Sequence, residues 1–169
     1  MQALKSYLTH LYFFLKTTRK IKKLSEHSVD LPMSAQNIKN VLIILPLEEK
    51  FVDAAMTLIR HIRQYFNEWH FMILNLNKLN EGKLDRFGLP NQSFLKELAP
   101  NDFQLSVNLS FGRDLRSDYI ITILKIPYRL HIYSASSDYY NMCAQLRREN
   151  FTSYHHVLES LKSSFIKEE

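Results

Sequence analysis

Short apolar runs alternate with amphipathic stretches along most of the chain. A continuous apolar run at residues 41 to 45 predicts a buried strand, a second, mostly apolar run at 71 to 76 predicts another strand, and further strands are predicted at 102 to 110 and 128 to 134. The stretch after the first run has apolar residues at helical spacing, namely Val52, Ala55, Met56, Ile59, Ile62 and Phe66. Strands that alternate with helices predict an α/β fold of three layers, in which a Rossmann-like parallel sheet carries helices on both faces.

The remaining segments complete this single predicted domain, which spans residues 40 to 169. Residues 115 to 125 predict a helix, and a Gly/Pro turn leads into a shorter helix from Asn91. Two C-terminal helices are expected near residues 138 to 148 and 154 to 165.

A polar stretch at residues 25 to 39 predicts a linker between this domain and an N-terminal segment at residues 1 to 24. Written as a helix, the segment has an apolar stripe at i, i+4, i+7 and i+11, formed by Leu4, Leu8, Leu11 and Leu15. Its longest uncharged run, residues 6 to 15, is too short for a spanning helix, which needs about 20 apolar residues. Its basic cluster follows the apolar run, whereas a secretory signal has basic residues first. We therefore expect a cytoplasmic protein.

Charge makes this N-terminal helix unusual. The chain has a net charge of +5, and nearly all of the surplus lies in the first 24 residues, at Lys5, Lys16, Arg19, Lys20, Lys22 and Lys23. Such a helix can lie on an anionic membrane surface, here the inner membrane, or it can pack on its own domain or on a protein partner with its basic end in solvent. We expect a protein partner first and an anionic membrane second. Nucleic acid is not expected, because charge alone is a weak indication and no nucleic-acid motif accompanies it.

Composition predicts a compact domain that needs no disulfides, and no cofactor is expected. The chain has 169 residues, of which 46% are hydrophobic, and only three glycines and five prolines. Its single cysteine, Cys143, has no companion for a disulfide or a metal site. His155 and His156 are adjacent, so on a helix they diverge by about 100° and do not form a chelating pair.

Ligands of parallel α/β sheets bind beyond the carboxyl ends of the strands. The polar residues at those ends are the candidates for a ligand crevice: Glu48, Glu49, Lys50, Asn75, Ser110, Arg113, Ser134 and Ser136. The first turn reads PLEEK and lacks the glycine that admits a phosphate to a helix N-terminus. Its two carboxylates occupy the position that an anion would take, so we expect a capped structural turn there.

Two stretches carry a family resemblance. VLIILPLEEKFVDAAMTLIRHIR, from residue 41, resembles the first strand and helix of the heptosyltransferase-like glycosyltransferases of the GT-B class (family 9). DFQLSVNLSFGRDLRSDYIITILKIPYRLHIYS, from residue 102, resembles a later strand-helix-strand unit of that family, including the residues Leu115, Arg116 and Ser117. The chain also resembles small, uncharacterised single-domain bacterial proteins. The resemblance covers about residues 40 to 135 and implies the N-terminal Rossmann-like half of a GT-B enzyme.

The chain departs from the family pattern at the chemistry. The family has a Gly-Asp pair after the first strand, whose Asp is the proposed base, and Lys50 and Phe51 stand in its place here. Asp53 would point about 200° around the helix from the position of that Asp. The second Rossmann-like domain that binds the sugar nucleotide in the family has no counterpart in these 169 residues.

Two functional hypotheses follow from these observations. The first is a non-catalytic GT-B-like half-domain that acts as an interaction or scaffold module, held at the membrane surface by residues 1 to 24. The alternative is an enzyme, either one subunit of a two-chain glycosyltransferase or a small α/β enzyme that uses the crevice at the strand ends.

Overall fold

A computed structural model describes residues 2 to 25, 31 to 132, 138 to 148 and 153 to 167. The α-helices in these ranges are α1 (Gln2–Ser25), α2 (Val52–Tyr65), α3 (Gln92–Leu98), α4 (Leu115–Ile123) and α5 (His155–Ser164). The strands are β1 (Met33–Ser34), β2 (Asn40–Ile44), β3 (His70–Leu74), β4 (Leu105–Asn108), β5 (Tyr128–His131), β6 (Met142–Cys143) and β7 (Phe165–Ile166).

Five of the strands form one parallel sheet in the order β3-β2-β4-β5-β6. In the register of this sheet, Ile43 lies opposite Ile73 on one side and Val107 on the other. The sequence prediction of an α/β fold with a parallel sheet is confirmed. The chain builds β3 on one side of β2 and the later strands on the other, so the strand order reverses between β2 and β4.

Helices cover both faces of the sheet, as the sequence predicts. Successive side chains of a strand point to opposite faces, and β2 is apolar at every described position from 41 to 44. Val41 and Ile43 join the apolar core that contains the buried residues of α2 and α5. Leu42 and Ile44 join a second core, with residues of α1, α3 and α4. A strand buried on both faces therefore needs no polar alternation.

The helix predicted near residues 138 to 148 is wrong, because this segment contributes β6 to the sheet instead. The Asn141 amide donates to the Arg129 carbonyl at 3.1 Å, and the Ala144 amide donates to the His131 carbonyl at 3.1 Å. The Asn141 side chain accepts from the Arg129 amide at 2.8 Å. These bonds satisfy the outer edge of β5, which a local helix would leave unpaired.

Part of the stretch predicted as a linker lies against the domain. β1 pairs in parallel with β7, and Ile38 is buried in the core. The Trp69 indole N–H donates to the Ala35 carbonyl at 3.0 Å. Residues 26 to 30 lie outside the described part of the chain.

The basic amphipathic N-terminal helix is present as α1, and it packs on its own domain. Its buried side chains are Phe13, Thr17, Ile21 and Leu24, spaced as one face of a helix. The Phe13 ring lies 6.2 Å from the Tyr119 ring and 5.5 Å from the Tyr139 ring, between centroids. The Thr9 hydroxyl donates to the Phe87 carbonyl at 2.9 Å.

The apolar stripe predicted from the sequence faces the other way. Leu8, Leu11 and Leu15 are exposed, and Leu15 keeps 70% of its surface in solvent. Tyr7 and Phe14 are exposed beside them. We call these five residues the outward face of α1: Tyr7, Leu8, Leu11, Phe14 and Leu15. The exposed apolar residues thus lie in the first half of the helix, on a different side from its buried residues, and only the buried side packs on the domain.

Two neighbouring phenylalanines test this orientation of α1. Phe13 is 3% exposed and Phe14 is 60% exposed. We expect Phe13→Ala to lower the free energy of unfolding by about 3 to 5 kcal/mol, the usual cost of removing a buried ring. Phe14→Ala should change it by less than about 0.5 kcal/mol. Urea unfolding of the two variants measures both values, and equal losses would show that the helix is not oriented as described.

Candidate functional site

The crevice at the carboxyl ends of β2 and β4 is the place where this topology binds ligands. It lies where the strand order reverses, and it is bordered by the turn at residues 45 to 50 and the loop at residues 109 to 113. The side chains that line it therefore decide whether the domain can use the usual ligand position of its fold.

Three aromatic side chains pack together at this crevice. The Phe111 ring lies 4.9 Å from the Phe51 ring and 6.2 Å from the Tyr154 ring, between centroids, and all three residues are buried. The Tyr154 hydroxyl donates to the Leu109 carbonyl at 3.1 Å, directly after β4. Burial and, secondarily, the charge of Glu48 raise the pKa of Tyr154, so its hydroxyl stays protonated. Packed rings thus lie beside the carboxyl ends of β2 and β4, where ligands of this fold bind.

The PLEEK turn is closed by an ion pair rather than by capping carboxylates. Glu48 lies before the 3₁₀ turn at Glu49–Phe51, and its side chain caps no backbone amide there. Its Oε1 instead lies 3.4 Å from Nη2 of Arg148. The prediction of a carboxylate cap by Glu48 is therefore wrong, because Arg148 offers this carboxylate a charged partner. Glu49 and Lys50 are exposed, and the Lys50 ammonium lies 4.8 Å above the Phe51 ring.

The other predicted crevice residues do not form one site with this turn. Asn75 caps the 3₁₀ turn at Leu76–Lys78 by accepting from the Asn77 amide at 3.0 Å. Ser110 is fully buried, and its hydroxyl donates to the Leu45 carbonyl at 3.4 Å. Ser134 and Ser136 lie outside the described residues. The remaining predicted residue, Arg113, forms an ion pair with the buried carboxylate of Asp118.

A buried polar cluster lies on the other side of β4 and consists of Asn108, Ser117, Asp118 and Tyr140. The Asn108 amide nitrogen donates to the Tyr140 hydroxyl at 2.7 Å and to the Ser117 hydroxyl at 3.2 Å. Burial, and the nearby charge of Asp118, raise the pKa of Tyr140. The cluster therefore keeps neutral hydroxyls and amides bonded to one another in an apolar layer.

Arg113 connects this buried polar cluster to the surface. Its Nε donates to Oδ2 of Asp118 at 2.9 Å, and its side chain is 58% exposed while that of Asp118 is 1% exposed. Burial raises the pKa of Asp118, and the bond to Arg113 opposes this rise. Oδ1 of Asp118 has no hydrogen-bond partner within the described ranges. The Tyr140 hydroxyl is a second, weaker partner of this carboxylate. A buried carboxylate depends most strongly on its charged partner, here Arg113.

Two further polar residues of β5 are buried without reaching a crevice. Arg129 donates to the carbonyls of Tyr139, Ile126 and Pro127 at 2.7 to 3.0 Å, and burial lowers its pKa. His131 lies at the end of β5, 4.6 Å from the Tyr140 ring between centroids, and burial lowers its pKa to about 4. Both residues join the segment before β6 to the sheet.

Sequence reasoning singled out Arg113 in this region but missed its buried partner Asp118, and it missed Tyr140. Both residues fall in segments predicted as helices, at residues 115 to 125 and 138 to 148, and that pattern gave no reason to single them out. The signal that could have found the cluster is the polar residue at the end of each apolar strand, Asn108 in β4 and His131 in β5. A polar side chain in a strand that is buried on both faces needs partners nearby.

The basic residues predicted to contact a membrane or partner lie mostly in solvent. Lys16, Arg19 and Lys22 are exposed. Lys20 is partly buried, and its pKa is lowered by burial and then by the charges of Lys125 and Lys16. The backbones of Leu4 and Lys23 belong to α1, but their side chains lie outside the description. Among the described residues, no three His, Cys, Asp or Glu side chains are placed to hold a metal ion.

The buried position of His131 predicts a pH dependence of stability. Its folded pKa of about 4 is below the usual value of 6.5, so the unfolded chain binds the proton more readily. The stability that the neutral His131 side chain contributes is fully present above pH 6.5 and is lost as the pH falls towards 4. Between pH 7 and pH 4, the wild type should lose about 3 kcal/mol more free energy of unfolding than His131→Phe, which keeps a ring against Tyr140.

Urea unfolding across this pH range measures the difference. His155→Phe, at an exposed position, is the matched control and should follow the wild type. Parallel curves for the wild type and His131→Phe would contradict the buried, neutral state of this side chain.

No protein-family model, curated protein or solved structure matches this chain. A proposal about function therefore rests on the fold, the aromatic packing at the crevice, the buried polar cluster and the surface of α1. The resemblance of residues 40 to 135 to heptosyltransferase-like enzymes stays a prediction from the sequence.

Proposed function

We propose that this domain is an interaction module that docks on an anionic membrane surface through the outward face of α1. The observation that carries the proposal is the exposure of Tyr7, Leu8, Leu11, Phe14 and Leu15 on one side of a helix whose other side is fixed to the domain. Exposed apolar residues that form one continuous surface mark interaction sites far more often than scattered ones do.

The charge of the helix supports a membrane as the partner. Residues 1 to 24 contain six Lys or Arg residues and no Asp or Glu. Lys16, Arg19 and Lys22 are exposed at the end of α1 that follows the outward face. Each basic residue near an anionic surface contributes about 1 kcal/mol to binding. The same helix can therefore bind one partner through both apolar and electrostatic interactions.

The composition of this surface fits lipid better than protein. Protein interfaces are enriched in aromatic residues and Arg but depleted in lysine, whereas helices that lie in a bilayer surface combine Leu and aromatic residues with both Lys and Arg. The apolar side chains of the outward face are long enough to enter the boundary between headgroups and acyl chains, which such helices penetrate by about 5 to 10 Å. None of the described helices is long and apolar enough to cross a membrane.

The aromatic packing at the crevice favours this proposal over the enzyme hypothesis. Phe51, Phe111 and Tyr154 pack together beside the carboxyl ends of β2 and β4, where ligands of this fold bind. A substrate would have to displace three buried rings, each of which stabilises the fold by about 3 kcal/mol or more. In this proposal the Rossmann-like sheet serves as the rigid body that presents α1.

Vesicle binding tests the apolar term of the proposal. The wild type should bind vesicles that contain phosphatidylserine and not vesicles of phosphatidylcholine alone. Leu8→Ser together with Leu15→Ser should weaken binding by at least about 10-fold, because each leucine contributes about 1.5 kcal/mol or more when it leaves water. The control replaces two apolar residues of similar exposure elsewhere, Met56→Ser together with Ile166→Ser, and should bind like the wild type.

The same vesicles test the electrostatic term. Lys16→Gln together with Arg19→Gln should weaken binding by about 10- to 30-fold at low salt, and by less at high salt because of screening. Lys39→Gln together with Arg147→Gln removes two exposed charges elsewhere and is the matched control. Equal binding of all these proteins to anionic and neutral vesicles would overturn the proposal. If the wild type binds no vesicles, and the leucine variant loses a protein complex that the wild type forms, the partner is a protein instead.

A further inference from the structure

A groove of about 510 Å³ runs beside the outward face of α1, between this helix and the loop that leads into α4. Its apolar wall includes Tyr7, Leu11, Phe14 and Leu115, and its polar wall includes Arg113, next to Tyr139. This volume lies within the range of about 300 to 1,000 Å³ that small-molecule sites occupy. Three of the apolar wall residues, Tyr7, Leu11 and Phe14, also belong to the outward face, so the groove opens onto the surface proposed to meet the membrane.

Arg113 is held in one orientation at this groove. Its Nε donates to the buried Asp118 at 2.9 Å, and its guanidinium lies 4.9 Å from the centre of the Tyr139 ring. The Asn108, Ser117 and Tyr140 bonds fix the layer beneath it. An exposed arginine normally gives up rotamer freedom when it binds a ligand, and these contacts remove most of that freedom in advance.

The same contacts leave the anion-binding edge of Arg113 open. Its two Nη atoms have no hydrogen-bond partner within the described ranges, and the side chain is 58% exposed. The planar fork of a guanidinium matches the oxygen atoms of a phosphate or carboxylate. Asp118 holds Nε from the protein side, so a ligand anion can approach Nη without breaking that bond.

We infer that the groove binds one anionic phospholipid, whose phosphate is held by the Nη atoms of Arg113 and whose acyl chain lies along Tyr7, Leu11, Phe14 and Leu115. This inference rests on the proposed function, because the membrane supplies the lipid to the groove. A ligand that is both anionic and apolar satisfies both walls at once, whereas a free phosphate would leave the apolar wall in water. The continuity of the groove with the outward face gives the acyl chain a path from the bilayer.

A short-chain lipid separates this inference from docking on a bilayer. The probe is dihexanoyl-phosphatidic acid below its critical micelle concentration, followed through amide chemical shifts in NMR titrations of the full chain. We expect saturable binding at least about 10-fold tighter than that of inorganic phosphate or of dihexanoylglycerol, which lacks the phosphate. Amide shifts should concentrate at residues 7 to 14 and 111 to 116.

Two variants test the part played by Arg113. Arg113→Lys keeps a positive partner for Asp118 and loses the fork, so affinity for the probe should fall by about 10-fold. The second variant, Arg113→Gln together with Asp118→Asn, removes both charges of the ion pair, so that no buried charge is left without a partner. It provides the test if Arg113→Lys fails to fold. Arg86→Gln is the control, because Arg86 is exposed and its guanidinium lies 4.8 Å above the Phe87 ring in a similar stack.

Each outcome of these titrations has one meaning. Unchanged affinity in both Arg113 variants, or no saturable binding of the probe, would overturn the inference. Binding of inorganic phosphate as tight as that of the probe would also overturn it and identify a plain anion site. Vesicle binding by a wild type that does not bind the probe would leave the docking proposal intact, and binding of the probe without vesicle binding would overturn docking while supporting the groove.

Discussion

The packing of Phe13 against Tyr119 and Tyr139 determines which side of α1 faces the solvent. A helix that is apolar on two sides has no preferred orientation on its own, and burial of one large ring in a preformed layer decides between them. Thr17, fully buried one turn later, extends the same contact along the helix. Once this side is fixed, Leu8 and Leu15 have to point away from the domain. The exposed apolar surface is thus a direct consequence of how the fold completes its second core.

The interior of the domain is packed with its own side chains, and its surface presents the groups suited to recognition. The crevice between β2 and β4, where related topologies hold a ligand, is bordered by packed rings and by the ion pair of Glu48 with Arg148. The buried polar cluster likewise ends at the surface in one oriented side chain, Arg113. A rigid sheet that presents a fixed helix and a fixed arginine suits recognition, because little conformational entropy remains to be lost on binding.

Most of the sheet was predictable because β2 and β3 each contain four consecutive apolar residues and α2 has an apolar stripe at helical spacing. The segment at 138 to 148 was not, because its strand depends on hydrogen bonds to β5 that are distant in sequence. Periodicity also found the stripe of α1 without showing that it faces solvent, since Phe13 and Ile21 form a competing stripe. The pairing of Arg113 with Asp118 depends on the start of α4 and could not be read from spacing alone.

The depth of α1 in a bilayer tests the central claim most directly. A nitroxide can be attached at position 15, through Leu15→Cys in a Cys143→Ser background, with Lys39→Cys in the same background as the control. On vesicles with anionic lipid, electron paramagnetic resonance accessibility should place the label at position 15 about 5 to 10 Å below the headgroups, with the label at position 39 in water. If the protein binds and both labels remain in water, α1 does not dock through its outward face and the account is wrong.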